Sequence, residues 1–317
     1  VERVRIAANL RHDQLDQVIT EQALEGGTLA APFATEFSFL WRFARSLLAQ
    51  REAVRGRPEP IGRIDYSFEL DGEGEAARVA IRQRRRGEPL DLIVAELMIL
   101  ANSTWGRMLA EHRVAGVYRS QSLGRVRMST TPAAHDGIGV AHYAWSTSPL
   151  RRYVDLVNQR QIIAIARGTA PAYANNESDL FAIVSAFDAA YAAYADFQQM
   201  MERYWSLRWI EQENVRRIEA TVLRGDVIRL GGLPMVTRLP GLAEMPRGQK
   251  IELAVLSTDL VELRLEARVQ QVLSAEDIEP LDEEVLEAGA SIADSPAPPS
   301  ESGAEPVATV SVETPPT

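Results

Sequence analysis

The sequence predicts an α+β protein: a mostly helical region, then a small β-barrel, then a disordered acidic tail. Three observations predict it. Over the first two-thirds of the chain, apolar residues recur at spacings of three and four. After residue 215 the texture changes to short alternating runs separated by glycine, proline and polar turns. From Ser274 to Thr317 there are eleven Asp and Glu, no Lys or Arg, and seven of the seventeen prolines. Such a segment cannot bury enough apolar surface to fold. With 317 residues, 46% of them hydrophobic, the remainder is long enough for one large or two medium domains with real cores.

The elements follow in order. Residues 12 to 24 place Leu15, Val18, Ile19 and Ala23 at helical spacing, and Gly26 and Gly27 supply the stop. A second helix is expected from Thr35 to Arg55, with a face of Phe37, Leu40, Trp41, Ala44, Leu47 and Leu48 and an end at Gly56. The runs IDYSFEL and ARVAIRQ flank DGEGE between Ile64 and Gln83, the pattern of a β-hairpin. Pro89 opens a helix through His112 whose apolar residues almost surround it, so it is expected to be buried. Another helix is expected after Pro149 and stops at Gly168, and a long one runs from Ser178 to Glu213 without Pro or Gly. Five short strands between 215 and 273 suit a barrel of the OB type. The expected domains are therefore residues 1–213, 215–273 and the tail 274–317.

Composition excludes some chemistry. With no cysteine there is no disulfide, thiolate nucleophile or cysteine metal site, which fits a reducing, cytoplasmic location. The longest apolar run, LIVAELMILA from Leu92 to Ala101, falls short of the roughly 20 residues that span a bilayer, and no membrane contact is expected. The formal charge is -10, but without the tail 33 acids face 34 bases, a net of +1. The folded part carries no electrostatic bar to nucleic acid. The opening VERVRIAANL, which starts with Val, reads as the interior of a domain, so a fragment is expected.

The segment YAWSTSPLRRYVDL, Tyr143 to Leu156, places Arg151 and Arg152 after a proline at the start of a helix that Thr147 or Ser148 would cap. Free backbone donors beside two guanidiniums suit a phosphate; the alternative is pairing with carboxylates such as Asp155 on a solvated face. The run Arg82, Arg84, Arg85 and Arg86 is the densest basic patch, either a wall that tracks phosphates or a solvated strand end. Tyr66 shares a strand face with Phe68, and Trp145 precedes the arginines; each ring either stacks on a base or belongs to the core.

TSPLRRYVDLVNQR resembles the TSPIRRYADLVxHR motif of the ribonuclease II and ribonuclease R family, and LIVAELMILAN resembles that family's IxEExMLLAN helix. NLRHDQLDQVI is similar to its LTYDQ segment, VAGVYRSQ to its LYRxH stretch, and a terminal OB-fold barrel fits as well. The resemblance covers residues 1 to about 273, the later half of an RNB-type catalytic domain plus the barrel. It implies a processive 3′-to-5′ exoribonuclease that hydrolyses single-stranded RNA to nucleoside 5′-monophosphates with Mg²⁺ held by clustered aspartates. No such cluster is visible in this sequence, and its ligands are expected upstream. By resemblance Arg151 contacts the scissile phosphate, with Arg152 as its basic neighbour. Glu96 reads the terminal ribose, or is a helix residue paired with an arginine, since Ala95 replaces its partner glutamate. His12 stands at a tyrosine position that bears on the ribose, or is an exposed histidine. Trp145 and Ser146 replace a His-aromatic pair, and Gln159 replaces the histidine of VxHR. Arg224, Arg229 and Arg238 are candidates for holding the RNA backbone on the barrel. A non-catalytic RNA-binding protein that retains the fold is the alternative.

Overall fold

A computed structural model describes residues 5–6, 8–10, 15–29, 32–59, 64–85, 87–122 and 125–275. The elements are α1 (Glu21–Glu25), α2 (Ala34–Arg55), β1 (Ile64–Asp71), β2 (Arg78–Arg85), α3 (Pro89–Glu111), β3 (Tyr118–Ser122), β4 (Arg125–Ser129), α4 (Tyr153–Arg167), α5 (Ser178–Gln212), β5 (Arg217–Arg224), β6 (Val227–Leu230), β7 (Val236–Arg238), β8 (Gln249–Asp259) and β9 (Arg264–Ala275). The expected acidic tail lies almost wholly outside the described residues.

Local chemistry explains most boundaries. Residues 12–14 of the first expected helix lie outside the described residues; α1 starts at Glu21 because Thr20 is extended, with φ -95 and ψ 159, and its hydroxyl accepts from the Ala23 amide at 3.2 Å. Helix α2 ends where Gly56 takes the left-handed φ of 71°. Strands β1 and β2 pair antiparallel from Ile64 opposite Arg85 to Asp71 opposite Arg78. Helix α3 begins at Pro89, yet it is less enclosed than its composition suggests. Leu90, Ile93, Glu96, Asn102, Gly106 and Leu109 are buried, while Val94 remains 44% exposed. The pair β3 and β4 is a strand hairpin that the pattern did not announce, because YRSQS and RVRMS carry little apolar alternation.

The last five strands fall where the alternation puts them and form one antiparallel sheet in the order β7-β6-β5-β8-β9, with shifts of register along β8 and β9. The described ladders record no pairing between β7 and β9. Leu207 and Ile210 at the end of α5 join Ile218, Val222, Ile228, Leu230, Ile251 and Leu253 of the sheet in one core. A second core gathers Val117, Tyr143, Trp145, Val154, Val157, Leu180 and Val184. A third joins Ile19 and Leu24 to Trp41 of α2 and to Leu90 and Ile93 of α3.

Helix α5 therefore links two cores, with its first turns in one and its last turns in the other. Between them Tyr191, Tyr194 and Phe197 are exposed. By length and composition this helix is apolar enough to cross a membrane. It holds no long uninterrupted apolar run because Asp188 and Asp196 punctuate it. The hairpin braces its far end: Gln212 exchanges two hydrogen bonds with the backbone of Val79, and Gln83 donates to the Gly232 carbonyl.

Arg203 locks the same junction. Its guanidinium is buried and donates to the carbonyls of Leu263 and Val236 and to the Thr237 hydroxyl. Burial pushes its pKa down to about 10, so the charge is costly and the aligned acceptors are what hold it. Arg203→Met leaves these buried acceptors without a donor. We expect a loss of about 2–4 kcal/mol in denaturant unfolding, with faster amide exchange in β7.

Candidate functional site

The irregular stretch from Ala144 to Arg152 starts in the interior, with Ala144, Trp145 and Ser146 buried, and reaches the surface at Leu150 and Arg151, so its buried backbone polar groups need side-chain partners. Three amides provide them. Asn102 of α3 accepts from the Ser146 amide at 3.0 Å. Asn158 of α4 donates to the Trp145 and Val117 carbonyls at 2.8 Å and accepts from the Val117 amide at 2.8 Å. Gln159 donates to the Ser146 carbonyl at 2.7 Å. Amide side chains suit this task because each carries both a donor and an acceptor. Gly106 permits the close approach of α3: a Cβ there would lie 3.1 Å from the Ala144 nitrogen.

The turn that follows is fixed by Asp155, which is fully buried in the first turn of α4. Its Oδ1 accepts from the Ser148 amide at 2.7 Å and from Arg152 Nη2 at 2.8 Å. Arg152 also lies over the Trp145 ring, its guanidinium carbon 4.0 Å from the centroid. Arg151, one residue earlier, is exposed, and none of the ion pairs among the described residues includes it. Two neighbouring arginines thus have different environments: Arg152 is fastened inward and Arg151 faces solvent.

The expected helix cap is corrected. Helix α4 starts at Tyr153, with Arg152 as an extended N-cap residue that makes no side-chain cap bond. The amides of Arg151 and Arg152 both donate to the Ser148 carbonyl, at 3.2 and 3.1 Å, so they are spent in the turn. The Thr147 hydroxyl instead accepts from Asn102. Pairing of Arg152 with Asp155, weighed above as a solvated contact, does form, but in the interior.

Glu96 is 1% exposed, and both its oxygens accept from Arg51, with Nε to Oε2 at 3.0 Å. Burial works against the Arg51 charge, yet the Glu96 bonds hold its pKa above the ordinary value. Arg51 also donates to the Ile138 carbonyl at 2.7 Å. Glu96 therefore sits in a closed ion pair rather than on an open surface. Trp145 is a core residue, against Phe187 and Tyr191 with centroids 6.2 and 6.3 Å away.

Tyr66 is half-buried; burial pushes its phenol up and nearby Arg229 of β6 opposes the shift. Arg82 pairs with Glu69 at 2.7 Å across the hairpin, and Arg84 binds Asp16 at 2.8 Å and Asp91 at 2.9 Å. Two members of the basic run are thus tied to carboxylates, and the Arg82–Glu69 pair is solvated as one of the two readings of the run has it. Arg85 ends β2, whereas Arg86 and His12 lie outside the described residues. On the sheet, Arg238 pairs with Asp226 at 3.1 Å.

No group of three or more His, Asp or Glu able to hold a metal ion occurs among the described residues. Asp16 and Asp91 share the Arg84 guanidinium. The described residues do not fit a divalent ion.

Two side chains were missed. Arg119 of β3 lies 5.0 Å from the centroid of Trp145 and its Nη1 meets His135 Nε2 at 3.0 Å. His135 is buried, and burial together with Arg119 pushes its pKa down to about 4 from 6.5. A depressed histidine binds its proton more readily in the unfolded chain. Stability of about 3 kcal/mol is therefore present above pH 6.5 and lost as pH falls toward 4. His135→Gln, which keeps an acceptor and cannot titrate, is expected to flatten that segment of the stability profile in thermal unfolding from pH 4 to 7.

The comparisons with known proteins bear on this same segment. Residues 120–168 match the model of the RNB domain, which takes in His135, Trp145, Arg151, Arg152, Asp155, Asn158 and Gln159. The chain is 44% identical over 120 residues to "Exoribonuclease 2" of Erwinia tasmaniensis, covering 38% of this chain and 18% of that protein. It is 29% identical over 155 residues to "Exoribonuclease 2" of Psychromonas ingrahamii, covering 32% of this chain and 23% of that protein. The chain thus spans less than a quarter of the length of these curated relatives. Its fold resembles that of Mycoplasma genitalium RNase R in complex with ribose methylated single-stranded RNA, with a TM-score of 0.62, 15% identity, and coverage of 81% of this chain and 52% of that one. Residues 120–168 are thus similar to the RNB domain, in a chain similar over part of its length to proteins named Exoribonuclease 2 and similar in fold to RNase R.

Proposed function

We propose that this chain is the later part of a 3′-to-5′ exoribonuclease that hydrolyses single-stranded RNA to nucleoside 5′-monophosphates. In this reading residues 1–213 complete an RNB-type catalytic domain, residues 215–273 close into an OB-type RNA-binding barrel, and the location is cytoplasmic, with which the lack of cysteine is compatible. The observation that carries it is the division of labour at the arginine pair. Arg152 is held by Asp155 and Trp145, at 2.8 and 4.0 Å, while Arg151 stands exposed at the same turn inside the RNB-matched segment. A guanidinium on a rigid turn is preorganised to take a phosphodiester oxygen, and phosphate contact is the task for which arginine geometry is suited.

A divalent ion supplies an activated water and charge stabilisation in reactions of this kind. Its ligands are proposed to lie outside this chain. This chain's own residues would bind and orient the strand: Arg151 at a phosphate, and the sheet along the backbone.

The second reading, a non-catalytic RNA-binding protein that keeps the fold, is favoured by the closed Arg51–Glu96 pair, which leaves no open carboxylate at the position expected to read a ribose.

The two readings separate in a digestion of 5′-labelled single-stranded RNA with Mg²⁺, using this chain, a longer protein that contains it, and the longer protein with Arg151→Ala. The exoribonuclease gives a ladder that shortens from the 3′ end with the longer protein, slowed about 100-fold or more by the substitution. RNA binding without cleavage by the longer protein leaves only the second reading.

A further inference from the structure

We infer that Tyr153 is a further RNA-binding residue of the arginine turn, its exposed ring stacking on a base of the strand whose phosphate Arg151 holds. The inference rests on the RNA reading above and deepens it, adding to the phosphate grip a contact with the base.

The geometry begins where α4 leaves the turn. Val154 and Asp155 are fully buried and Arg152 is drawn inward, so the residues that flank them face out. Leu150 is fully exposed, Arg151 is exposed and Tyr153 is 51% exposed. Within four residues the turn presents an aliphatic side chain, a guanidinium and a phenol ring to solvent. Arg160, seven residues after Tyr153, is exposed on the same face of α4, two helical turns on.

Tyr173 orients the ring. Its own backbone is fixed from the interior: the fully buried Gln161 accepts from the Tyr173 amide at 3.1 Å and donates to its carbonyl at 2.8 Å. Its phenol hydrogen-bonds both Tyr153 and Arg160. The bond to Tyr153, and then burial, push the Tyr173 pKa up, as for a hydroxyl that donates; the bond from Arg160 opposes this, as for a guanidinium that donates to a phenol oxygen. A chain of donors therefore runs from Arg160 through Tyr173 to the Tyr153 oxygen. That oxygen accepts within the chain, so the Tyr153 proton is the one it has to give to a ligand oxygen. Glu177, four residues past Tyr173, turns its carboxylate to the Ala174 amide at 2.6 Å.

A ring anchored through its hydroxyl and half open to solvent, two residues from an exposed guanidinium, offers one ligand a flat apolar surface and a cation together. An acidic peptide uses the cation alone, and an apolar protein surface uses the ring and Leu150 alone. A nucleotide uses both, since every base has a π-face and carries its phosphate alongside.

The test is binding to a fluorescent oligouridylate across a salt series by this chain and by Tyr153→Leu, Tyr153→Phe and Arg151→Gln. Tyr153→Leu keeps apolar bulk and loses the π-face; it is expected to weaken binding about 10-fold at every salt concentration. Tyr153→Phe, which loses only the hydroxyl, is expected to cost about 3-fold. Both keep the native slope of log affinity against log salt, whereas Arg151→Gln lowers it by about 0.7. Native affinity in Tyr153→Leu overturns the inference and marks the face as an apolar surface for a protein segment. Equal losses in Tyr153→Phe and Tyr153→Leu assign the effect to the hydrogen-bond chain and overturn the stacking. In parallel, photo-cross-linking of the native chain to an oligouridylate that carries thiouridine, read by mass spectrometry, is expected to modify Tyr153. Cross-links confined to other residues overturn the inference. Each of these results leaves the RNA reading standing; failure of the native chain to bind the oligouridylate at low salt overturns both.

Discussion

A single buried carboxylate oxygen, Oδ1 of Asp155, governs the region where this protein's chemistry is concentrated. It accepts from the Ser148 amide and from the Arg152 guanidinium together. The first bond closes the turn after the Ser-Pro step; the second draws Arg152 inward onto Trp145. Arg151 owes its exposure to that same turn. Taking a carboxylate out of water is expensive, and it is tolerated where hydrogen bonds and an opposite charge compensate it. The neighbouring amides of Asn102, Asn158 and Gln159 then complete the satisfaction of the segment, so the arginine turn is imposed by the interior and not by loop preference.

Helix α5 carries that order across the molecule. Its start belongs to the core beneath the arginine turn and its end to the core of the five-stranded sheet. Arg203 and Gln212 fasten the far end, to the sheet and to the β1–β2 hairpin respectively. The two regions are joined by a continuous helix and by side-chain bonds on several elements, an arrangement stiffer than a covalent linker alone.

Much of this was legible from periodicity. Helices α2, α3, α4 and α5, the first hairpin and the last five strands all follow from apolar spacing with glycine or proline at their ends. Strands β3 and β4 were not, since Arg119, Ser120, Arg125 and Arg127 give no alternation and the pair is held by its ladder and by the Trp145 segment. At the site, the Ser-Pro-Leu-Arg-Arg sequence pointed to the right turn but to the wrong cap, because the competing acceptor, Asp155, lies seven residues on from Ser148. For Glu96, pairing with an arginine was one of two readings and is the one that forms, but which arginine was hidden for a similar reason. Its partner Arg51 is 45 residues away on another helix, and spacing along one helix reports which face is buried, not which charges meet there. His135 and Arg119 are joined only by the fold.

The 35 residues of α5 contain no glycine or proline and run for about 52 Å at 1.5 Å per residue. A rod of that length acts as a ruler. The helix sets the distance between the arginine turn and the five-stranded sheet. It also sets their relative rotation, since each residue added or removed turns one surface by about 100° against the other. Only changes of whole turns would preserve the facing of the two surfaces. The spacing of the two surfaces is thus written in the number of residues of a helix that is exposed from Tyr194 to Phe197.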